Sequence, residues 1–331
     1  MSLEKTRKII GRTPPPYGGV SNYNQNLIHA LNQKNIRYQL IDPTLFSFYN
    51  LELGYFDSYN SIVENPSLKN IIRYIPFILK DKNVIKVIHA GDFQIKLPHF
   101  SRLQRFLIKR YLKNCSKIIC VSEELRKFIS DSFQIKNLCV VSSLLPYFNT
   151  TVTSQTKRVF NQIASLSRTR IVGIGVFNEF YGFQNIIDAL SPFAIEKKIH
   201  LILIDGGFTN NAGYRNKCLK SHSWITVLEQ ISSSDVHWIM KQSDLFIRSV
   251  EKESFGLSKV EAIINGTNVI STNTGYTRDI PTYQFGDVRT LSQLIRNHIN
   301  VKTVVNGNSQ SKLLEEMENN LNSLISIAFN Q

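Results

Sequence analysis

Two glutamates stand eight residues apart, on either side of a glycine, in the stretch from residue 249 to residue 275. Glu253 precedes Gly256, and Glu261 lies in the apolar-periodic segment that follows the glycine. Carboxylates accept hydrogen bonds from adjacent hydroxyl groups, and the N–H groups at the start of a helix favour anions. The spacing therefore places two hydrogen-bond acceptors around one turn that suits a negative charge.

Each acid also has a purely structural interpretation. Ser258 and Glu261 have the spacing of a capping box, in which the glutamate would close the start of a helix. Glu253 would then be a solvated loop residue. The residues by themselves leave both interpretations open.

Other residues that could contact a ligand lie in the first half of the chain. Gly18 and Gly19 follow a proline run at a predicted strand-to-helix junction, where glycines either form a simple turn or let the backbone approach a phosphate. His89 and, more weakly, Ser122 stand at the ends of predicted strands. A lone histidine can equally be a structural residue.

The segments that position these residues alternate between strand and helix patterns. The predicted strands are 7–11, 36–41, 84–89, 117–121, 138–142, 170–174, 200–205, 224–228, 244–248 and 268–272. The predicted helices are 21–32, 101–114, 123–130, 183–193, 233–242, 258–265 and 310–329. This alternation predicts an α/β fold with two Rossmann-like, doubly wound parallel sheets that face each other across a cleft.

The predicted division of the chain has four parts. They are an N-terminal domain over 1–148, a polar linker over 149–169, a C-terminal domain over 170–308 and a final helix over 309–331. We expect the final helix to pack back toward the N-terminal domain.

The chain has 331 residues and a formal net charge of +14, which is unevenly spread. Residues 1–146 carry 21 Lys/Arg and 10 Asp/Glu, whereas residues 147–331 carry 18 and 15. We therefore expect the first half to meet an anionic partner, either a membrane surface or a phosphorylated acceptor, and not nucleic acid, for which no motif is visible. The N-terminus lacks the apolar core of a secretion signal, the apolar runs are too short to cross a bilayer, and the cysteines show no CxxC pairing. We therefore expect a cytoplasmic protein with reduced thiols.

The segment E-S-F-G-L-S-K-V-E around Gly256 resembles the E-x7-E signature of glycosyltransferase family 4, the retaining GT-B enzymes that use nucleotide sugars. Further segments resemble family motifs in the same order, namely P-P-P-Y-G-G-V-S (14–21), V-I-H-A-G-D (87–92), I-I-C-V-S-E-E-L (118–125) and Y-G-F-Q-N-I-I-D-A-L (181–190). The resemblance covers most of the chain, and it implies a GT-B fold and transfer of a sugar from a nucleoside diphosphate.

The resemblance also implies roles for single residues. Glu253 would bind the transferred sugar, Glu261 would bind the ribose hydroxyls, and His89 would face the sugar or the acceptor. The predicted catalytic residues are therefore Glu253 and His89. The predicted donor-binding residues are Gly18, Gly19, Arg248, Phe255, Gly256, Leu257, Ser258, Lys259 and Glu261.

The chain departs from the family at the diphosphate. Many members carry an arginine and a lysine after the first strand of the C-terminal domain, and Val176 and Tyr181 occupy those positions here. One hypothesis is that Arg248, together with the helix N-terminus, replaces the missing cations. The alternative is that Arg248 forms a surface salt bridge with Glu251 or Glu253.

No cofactor or metal is expected. No acidic pair stands where a metal-dependent transferase needs one, so the donor, linked to UDP or GDP, would react without a metal. Residues 173–175 read G-I-G, but the dinucleotide fingerprint that would begin there is incomplete. A nicotinamide-dependent enzyme is therefore a third and weaker hypothesis.

The segment 101–114 predicts an amphipathic helix in the basic half. Four cations are predicted on one face and four apolar residues on another, namely Arg102, Arg105, Lys109 and Lys113 against Leu103, Phe106, Leu107 and Tyr111. Such a helix either lies against anionic lipid or packs on its own sheet with a solvated basic face.

The leading hypothesis is a retaining hexosyltransferase of surface polysaccharide or glycolipid biosynthesis. It would move a sugar to a glycan or to a polyprenyl- or lipid-linked acceptor, at the inner face of a membrane. The alternative, suggested by the missing arginine and lysine, is a catalytically inactive GT-B protein that binds nucleotide sugar or scaffolds a partner enzyme.

Overall fold

The computed structural model describes residues 7–14, 19–42, 54–58, 63, 66–79, 84–89, 92–142, 144, 146, 151–167, 169–207, 211–220, 222–301 and 307–329. The chain divides into two compact units. Unit 1 contains Met1–Tyr147, Glu253–Phe255 and Glu316–Gln331, and unit 2 contains Phe148–Lys252 and Gly256–Glu315. Each unit therefore has its own core and is described by itself.

Unit 1 is built on a six-stranded sheet in which every neighbouring pair is parallel. The order across the sheet is β2-β1-β3-β4-β5-β6. The strands are β1 (Arg7–Ile10), β2 (Tyr38–Ile41), β3 (Tyr55–Asp57), β4 (Val84–Ile88), β5 (Lys117–Cys120) and β6 (Leu138–Val140). The helices are α1 (Gly19–Gln33), α2 (Leu68–Leu79), α3 (Asp92–Lys96), α4 (Arg102–Asn114) and α5 (Glu123–Phe133).

Unit 2 has a second sheet of six parallel strands, in the order β9-β8-β7-β10-β11-β12. Its strands are β7 (Thr169–Gly175), β8 (Ile199–Asp205), β9 (Ile225–Glu229), β10 (Leu245–Arg248), β11 (Asn268–Thr272) and β12 (Thr282–Tyr283). Its helices are α6 (Ser154–Leu166), α7 (Phe183–Leu190), α8 (Ala212–Leu219), α9 (Ser233–Gln242), α10 (Leu257–Ile264) and α11 (Val288–Val301). The last helix, α12 (Gly307–Ala328), begins in unit 2 and ends in unit 1.

The central strands have nearly continuous apolar sequences, as is typical of parallel sheets. All seven residues of β8 and all five of β4 are buried, as expected for strands that are covered by helices on both faces. Within β4 the exception is Lys86, whose Nζ lies 3.6 Å from a carboxylate oxygen of Asp57 in β3. A buried ammonium group is tolerated here because a buried carboxylate pairs with it.

The same carboxylate also accepts hydrogen bonds from two helices. The hydroxyl of Tyr111 in α4 donates to Asp57 at 2.7 Å, and the hydroxyl of Tyr74 in α2 donates to it at 3.1 Å. The two tyrosine rings meet edge to face, with their centroids 5.2 Å apart. One buried acid thereby holds α2 and α4 side by side on the sheet.

The predicted fold class is confirmed, and all ten predicted strands are present. Two short strands were not predicted, namely β3 with three residues and β12 with two. Most of the predicted linker forms α6, whose Phe160 ring contacts Trp238 of α9 at 5.2 Å between centroids. The polar composition of this segment led to the prediction of a linker, whereas the segment forms a helix that packs on unit 2 through one apolar face.

The predicted faces of α4 need a correction. Leu103 and Phe106 are 65% and 63% exposed, whereas Tyr111 is buried, so these residues do not share a face. The helix turns Ile108, Tyr111 and Leu112 toward the sheet. Leu103 and Phe106 lie on the outer face among the cations, because positions three and seven residues apart share one side of a helix.

Candidate functional site

The strand order of unit 2 creates a crevice at the carboxyl ends of β7 and β10. These strands are neighbours in the sheet, yet the chain leaves β7 toward β8 and β9 before it returns to β10 on the other side. Ligands of doubly wound sheets bind at such a switch point. Gly175 ends β7 and Arg248 ends β10, so both lie at this position.

Arg248 is held rigidly at the switch point. It is 9% exposed, its Nη1 donates to the carbonyl of Ile174 at 2.6 Å, and its guanidinium carbon lies 5.2 Å from the centroid of the Tyr181 ring. Arg248 is therefore not a surface residue. At residue 181, where the family resemblance led us to expect a cation, the chain thus has an aromatic ring that supports the cation of Arg248.

Glycines bring the loops after β7 and β10 together. A Cβ atom at Gly175 would lie 2.8 Å from a ring atom of Tyr181, so only glycine admits the ring at this place. Gly182 has a φ of +53°, and a Cβ there would lie 2.5 Å from the hydroxyl of Ser249. The loops are also joined directly, since the Glu251 N–H donates to the Phe180 carbonyl at 2.9 Å.

The start of α10 presents backbone donors without a side-chain cap. Gly256 is the N-cap of this helix, with a φ of +84°, and it has no side chain that could accept from the first turn. The Lys259 N–H donates to the Gly256 carbonyl at 3.0 Å, whereas the N–H groups of Leu257 and Ser258 cannot be satisfied inside the helix. These two amides and the positive end of the helix dipole suit an anion.

The capping-box interpretation of Ser258 is wrong. Ser258 lies inside the helix and not before it, because Gly256 is the N-cap. Its hydroxyl oxygen is buried and has no hydrogen-bond partner in the part of the chain that the structure describes. Glu261 therefore has no capping role toward Ser258, and Ser258 adds a donor beside the two amides.

Lys259 and Glu261 face different neighbours. Lys259 is fully buried, and its Nζ donates to the carbonyl of Thr274 in the loop after β11. Glu261 is 7% exposed, with a carboxylate oxygen 3.5 Å from Nε2 of His237 in α9. His237 was not predicted as a site residue, since no spacing in the sequence links it to Glu261.

In unit 1, His89 follows β4 and is held by aromatic and backbone contacts. Its ring lies edge to face with Tyr23, with 4.6 Å between centroids. Burial and the charge of Lys86 lower the pKa of His89 to about 3, which a hydrogen bond with the Ser58 backbone only partly offsets. His89 is therefore neutral at physiological pH, and its buried Nε2 has no partner among the described residues.

The segment that carries Glu253 belongs to the same unit as His89. Unit 1 includes Glu253–Phe255, and the Ser254 hydroxyl donates to the carbonyl of His89 at 2.7 Å. The two predicted catalytic residues thus lie on chain segments that are joined by a hydrogen bond. Ser254 was not singled out in the sequence, because one hydroxyl within a loop carries no pattern.

The glycine loop is only partly described. Gly18 lies outside the described residues, and Gly19 is the first residue of α1, with no atom within 4 Å of an added Cβ. A closer approach is found at Gly11, where a Cβ would lie 2.5 Å from the side-chain nitrogen of Asn24. Ser122 accepts a hydrogen bond from the Leu125 N–H at 3.2 Å as the N-cap of α5, which is a structural role.

Residues 156–283 match the family model of glycosyl transferases group 1. The matched segment runs from α6 to β12 and contains Arg248, Gly256 and Glu261. No curated protein matches the chain by sequence. The match to glycosyl transferases group 1 therefore rests on unit 2, where the switch point and the start of α10 lie.

Solved structures show the same fold over nearly the whole chain. HepE from Anabaena, in complex with UDP and glucose, is 13% identical with a TM-score of 0.66. Sucrose-phosphate synthase from Thermosynechococcus elongatus is 12% identical with a TM-score of 0.67, and WaaG, a glycosyltransferase involved in lipopolysaccharide biosynthesis, is 14% identical with a TM-score of 0.60. Each comparison covers 98% of this chain and 95% of the other. These comparisons establish the GT-B fold.

The described residues contain no group of three or more His, Cys, Asp or Glu side chains arranged to hold a metal ion. Across the same part of the chain, none of the helices has the length and apolar character needed to cross a bilayer.

Proposed function

We propose that this protein is a glycosyltransferase that moves a sugar from a nucleoside diphosphate sugar to a glycan or lipid-linked acceptor, with retention of the anomeric configuration. One observation carries the proposal. At the switch point of unit 2, Arg248 is fixed on the Tyr181 ring and the Ile174 carbonyl. The same unit contains an uncapped helix start at Gly256, so it supplies both a cation and backbone donors for a diphosphate.

The donor is proposed to be linked to UDP or GDP. HepE has been solved with UDP-glucose, which supports UDP as the first donor to test. Leu257, Ser258 and Arg248 would contact the diphosphate, and Glu261 would accept hydrogen bonds from the ribose hydroxyls. The position of Glu261 beside His237 supports this role, because an imidazole neighbour restricts the orientation of the carboxylate.

The reaction replaces one bond to the anomeric carbon by another. The bond to the diphosphate oxygen breaks, the acceptor oxygen bonds to the same face of the sugar, and the acceptor proton leaves with the diphosphate. Glu253 would hold hydroxyls of the sugar, and the neutral His89 would accept a hydrogen bond from a sugar or acceptor hydroxyl through its buried Nε2. Donors aimed at the leaving diphosphate stabilise the charge that develops there, so the proposed step uses no metal and no cofactor.

The acceptor is proposed to be a growing glycan or a polyprenyl- or lipid-linked saccharide, in surface polysaccharide or glycolipid assembly at the inner face of a membrane. WaaG acts in lipopolysaccharide biosynthesis, which makes such an acceptor a reasonable first choice. The excess of cations in residues 1–146 also favours an anionic acceptor or surface. The proposed class is a hexosyltransferase.

A second candidate is a GT-B protein that binds nucleotide sugar without transferring it. Val176 and Tyr181 support this candidate, because neither residue can supply the positive charge that the family places there. The two candidates predict the same donor binding and differ in turnover alone.

The experiment therefore measures binding and turnover separately. Calorimetric titration with UDP, GDP, UDP-glucose and a GDP-hexose identifies the base. Release of nucleoside diphosphate from the bound donor then measures turnover in the wild type and in Glu253→Gln. Binding with a release rate that Glu253→Gln abolishes supports the enzyme, whereas binding with no release in either protein supports the second candidate.

A further inference from the structure

Large exposed apolar side chains are concentrated on two neighbouring helices of unit 1. The described residues contain nine of them, and six lie on α2 and α4. On α2, Leu68, Ile72, Ile75 and Leu79 are between 40% and 74% exposed, and on α4 they are joined by Leu103 and Phe106. Exposed apolar patches of this kind mark sites of interaction in proteins.

The two helices carry many cations and no acid. Their sequences contain Lys69, Arg73, Arg102, Arg105, Lys109, Arg110 and Lys113, without one Asp or Glu. On α4, Arg110 and Lys113 are exposed on the same face as Leu103 and Phe106. The apolar and basic side chains are therefore interleaved on the outside of the helix.

A groove extends this surface on the far side of α4. It encloses about 620 Å³ between α4 and α5, with Phe106, Phe128 and Phe133 among its lining. Arg102, Arg105 and Lys109 also line the groove, and none of its described lining residues is a carboxylate. The groove is thus lined by the same combination of apolar and basic side chains as the α2 and α4 surface.

Hydrogen bonds join the two helices that form this surface. The side-chain nitrogen of Gln104 donates to the Pro66 carbonyl at 3.1 Å, and that of Asn114 donates to the Ile78 carbonyl at 2.9 Å. The two helices are thus joined near both ends, and they run side by side in the same direction. The buried Asp57 holds the middle of the pair through two tyrosine hydroxyls.

We propose that this surface, formed by α2 and α4, docks unit 1 on an anionic lipid bilayer. Aliphatic side chains would enter the boundary between headgroups and acyl chains, while lysine and arginine contact lipid phosphates. A nucleic acid would not explain the aliphatic row on α2, and a protein partner would not need seven cations without one acid. The purpose of docking, which is to reach a lipid-linked acceptor, rests on the proposed function, but the docking itself does not.

The test uses the full-length protein and sedimentation with vesicles of neutral phosphatidylcholine or of phosphatidylcholine with anionic phosphatidylglycerol. The wild type is expected to bind the anionic vesicles at least ten-fold better, with an advantage that falls as salt is raised. One variant replaces Lys109, Arg110 and Lys113 by glutamine, and it should bind roughly a hundred-fold more weakly, because each cation contributes roughly five-fold. A second variant replaces Leu68, Leu79 and Phe106 by serine, and it should lose roughly ten-fold.

Matched controls come from unit 2. Ile195→Ser with Val301→Ser removes two equally exposed apolar residues, and Lys217, Lys241 and Arg289 replaced by glutamine remove three exposed cations. Both controls should bind like the wild type. Equal binding of the wild type to both kinds of vesicle, or equal losses in the controls and in the surface variants, would overturn the proposal.

Calorimetric titration of the same proteins with UDP separates this proposal from the proposed function. Surface variants that lose vesicle binding and keep the wild-type response to UDP support docking by α2 and α4. If no protein binds a nucleotide but the vesicle results stand, the docking proposal survives and the enzymatic proposal fails. Thermal unfolding of each variant shows whether it is folded.

Discussion

The two units contain the same number of parallel strands but order them differently. In unit 1 the second strand lies outside the first and the sheet continues through the third, as in flavodoxin-like folds. Unit 2 follows the Rossmann order, with its first strand, β7, beside its fourth, β10. The switch point therefore falls between β1 and β3 in unit 1 and between β7 and β10 in unit 2.

This difference decides which side chains meet. In unit 2 the switch point brings Arg248 onto Tyr181, next to the tightly packed Gly175. In unit 1 the corresponding strand ends bring Gly11 against Asn24, which also accepts a hydrogen bond from the Ser58 hydroxyl, and the neighbouring Arg12 pairs with Asp42 at 3.2 Å. The cation at the switch point of unit 2 thus rests on an aromatic ring, whereas the cation beside the switch point of unit 1 is paired with a carboxylate.

The two units also differ in where their positively charged residues lie. Residues 1–146 have a large excess of cations, yet seven of them lie on α2 and α4. Unit 2 has few excess cations but buries one of them at its switch point. Seven of the 21 cations of residues 1–146 therefore lie on one pair of helices, whereas unit 2 has a buried cation at its candidate site.

The strongest test of this comparison is Glu253→Gln. We expect turnover to fall by roughly a thousand-fold, because a positioned hydrogen-bonding group is worth that order in a transition state, while donor affinity changes little. Release of nucleoside diphosphate from the donor is the measurement. Glu251→Gln, in the same loop, is the control, and equal rates in both variants would remove Glu253 from catalysis.

Acidification should act on unit 1 through His89. The unfolded histidine takes up a proton near its ordinary pKa, whereas the folded one stays neutral until about pH 3. Its contribution to stability is therefore present above pH 6.5 and is lost as the pH falls toward 3. At pH 4 the loss should be about 3 kcal/mol, since each pH unit below the unfolded pKa costs about 1.4 kcal/mol.

Calorimetric unfolding between pH 7 and pH 4 measures this loss. His89→Gln should show a smaller decrease in stability over the same range than the wild type. His99→Gln removes a histidine elsewhere in unit 1 and serves as the control. Identical slopes in all three proteins would contradict the neutral, buried state of His89.

Arg248→Ala tests the cation of unit 2. Loss of a charge-assisted contact should weaken UDP binding by about ten- to a hundred-fold, measured by titration calorimetry. Arg289→Ala, an exposed cation of the same unit, should have no effect. Tyr181→Lys in the Arg248→Ala background should recover part of the affinity, because it places a cation where the family resemblance implies one.

The smallest expected effect is that of Glu261→Gln. We expect UDP binding to weaken by about five- to ten-fold, and binding of 2′-deoxy-UDP to change much less, because the carboxylate would contact the ribose hydroxyls. Glu229→Gln, at an exposed acid of the same unit, is the control. Equal losses for both nucleotides would place Glu261 away from the ribose.

Local patterns were enough to predict the main elements of both sheets. Apolar runs such as those of β4 and β8 are recognisable as strands in the sequence, because both faces of a parallel sheet are buried. The strand β12 was not predicted, because two residues carry no periodicity. The helix α6 was not predicted either, because its polar sequence resembles that of a linker. The sequence also placed a candidate site at the two glutamates and Gly256, where the motif is contiguous along the chain, and that placement stays a prediction.

Contacts between residues that are far apart in the sequence could not be predicted in this way. The stacking of Arg248 on Tyr181, the approach of His237 to Glu261 and the hydrogen bond from Ser254 to His89 all join distant segments. The sequence by itself determined the alternation of strands and helices, the uneven charge and the acids around Gly256, because these depend on residue type and local spacing. Only the tertiary structure decided which cation meets which ring and which apolar side chains stay exposed, because those contacts depend on strand order and on how each helix turns against its sheet.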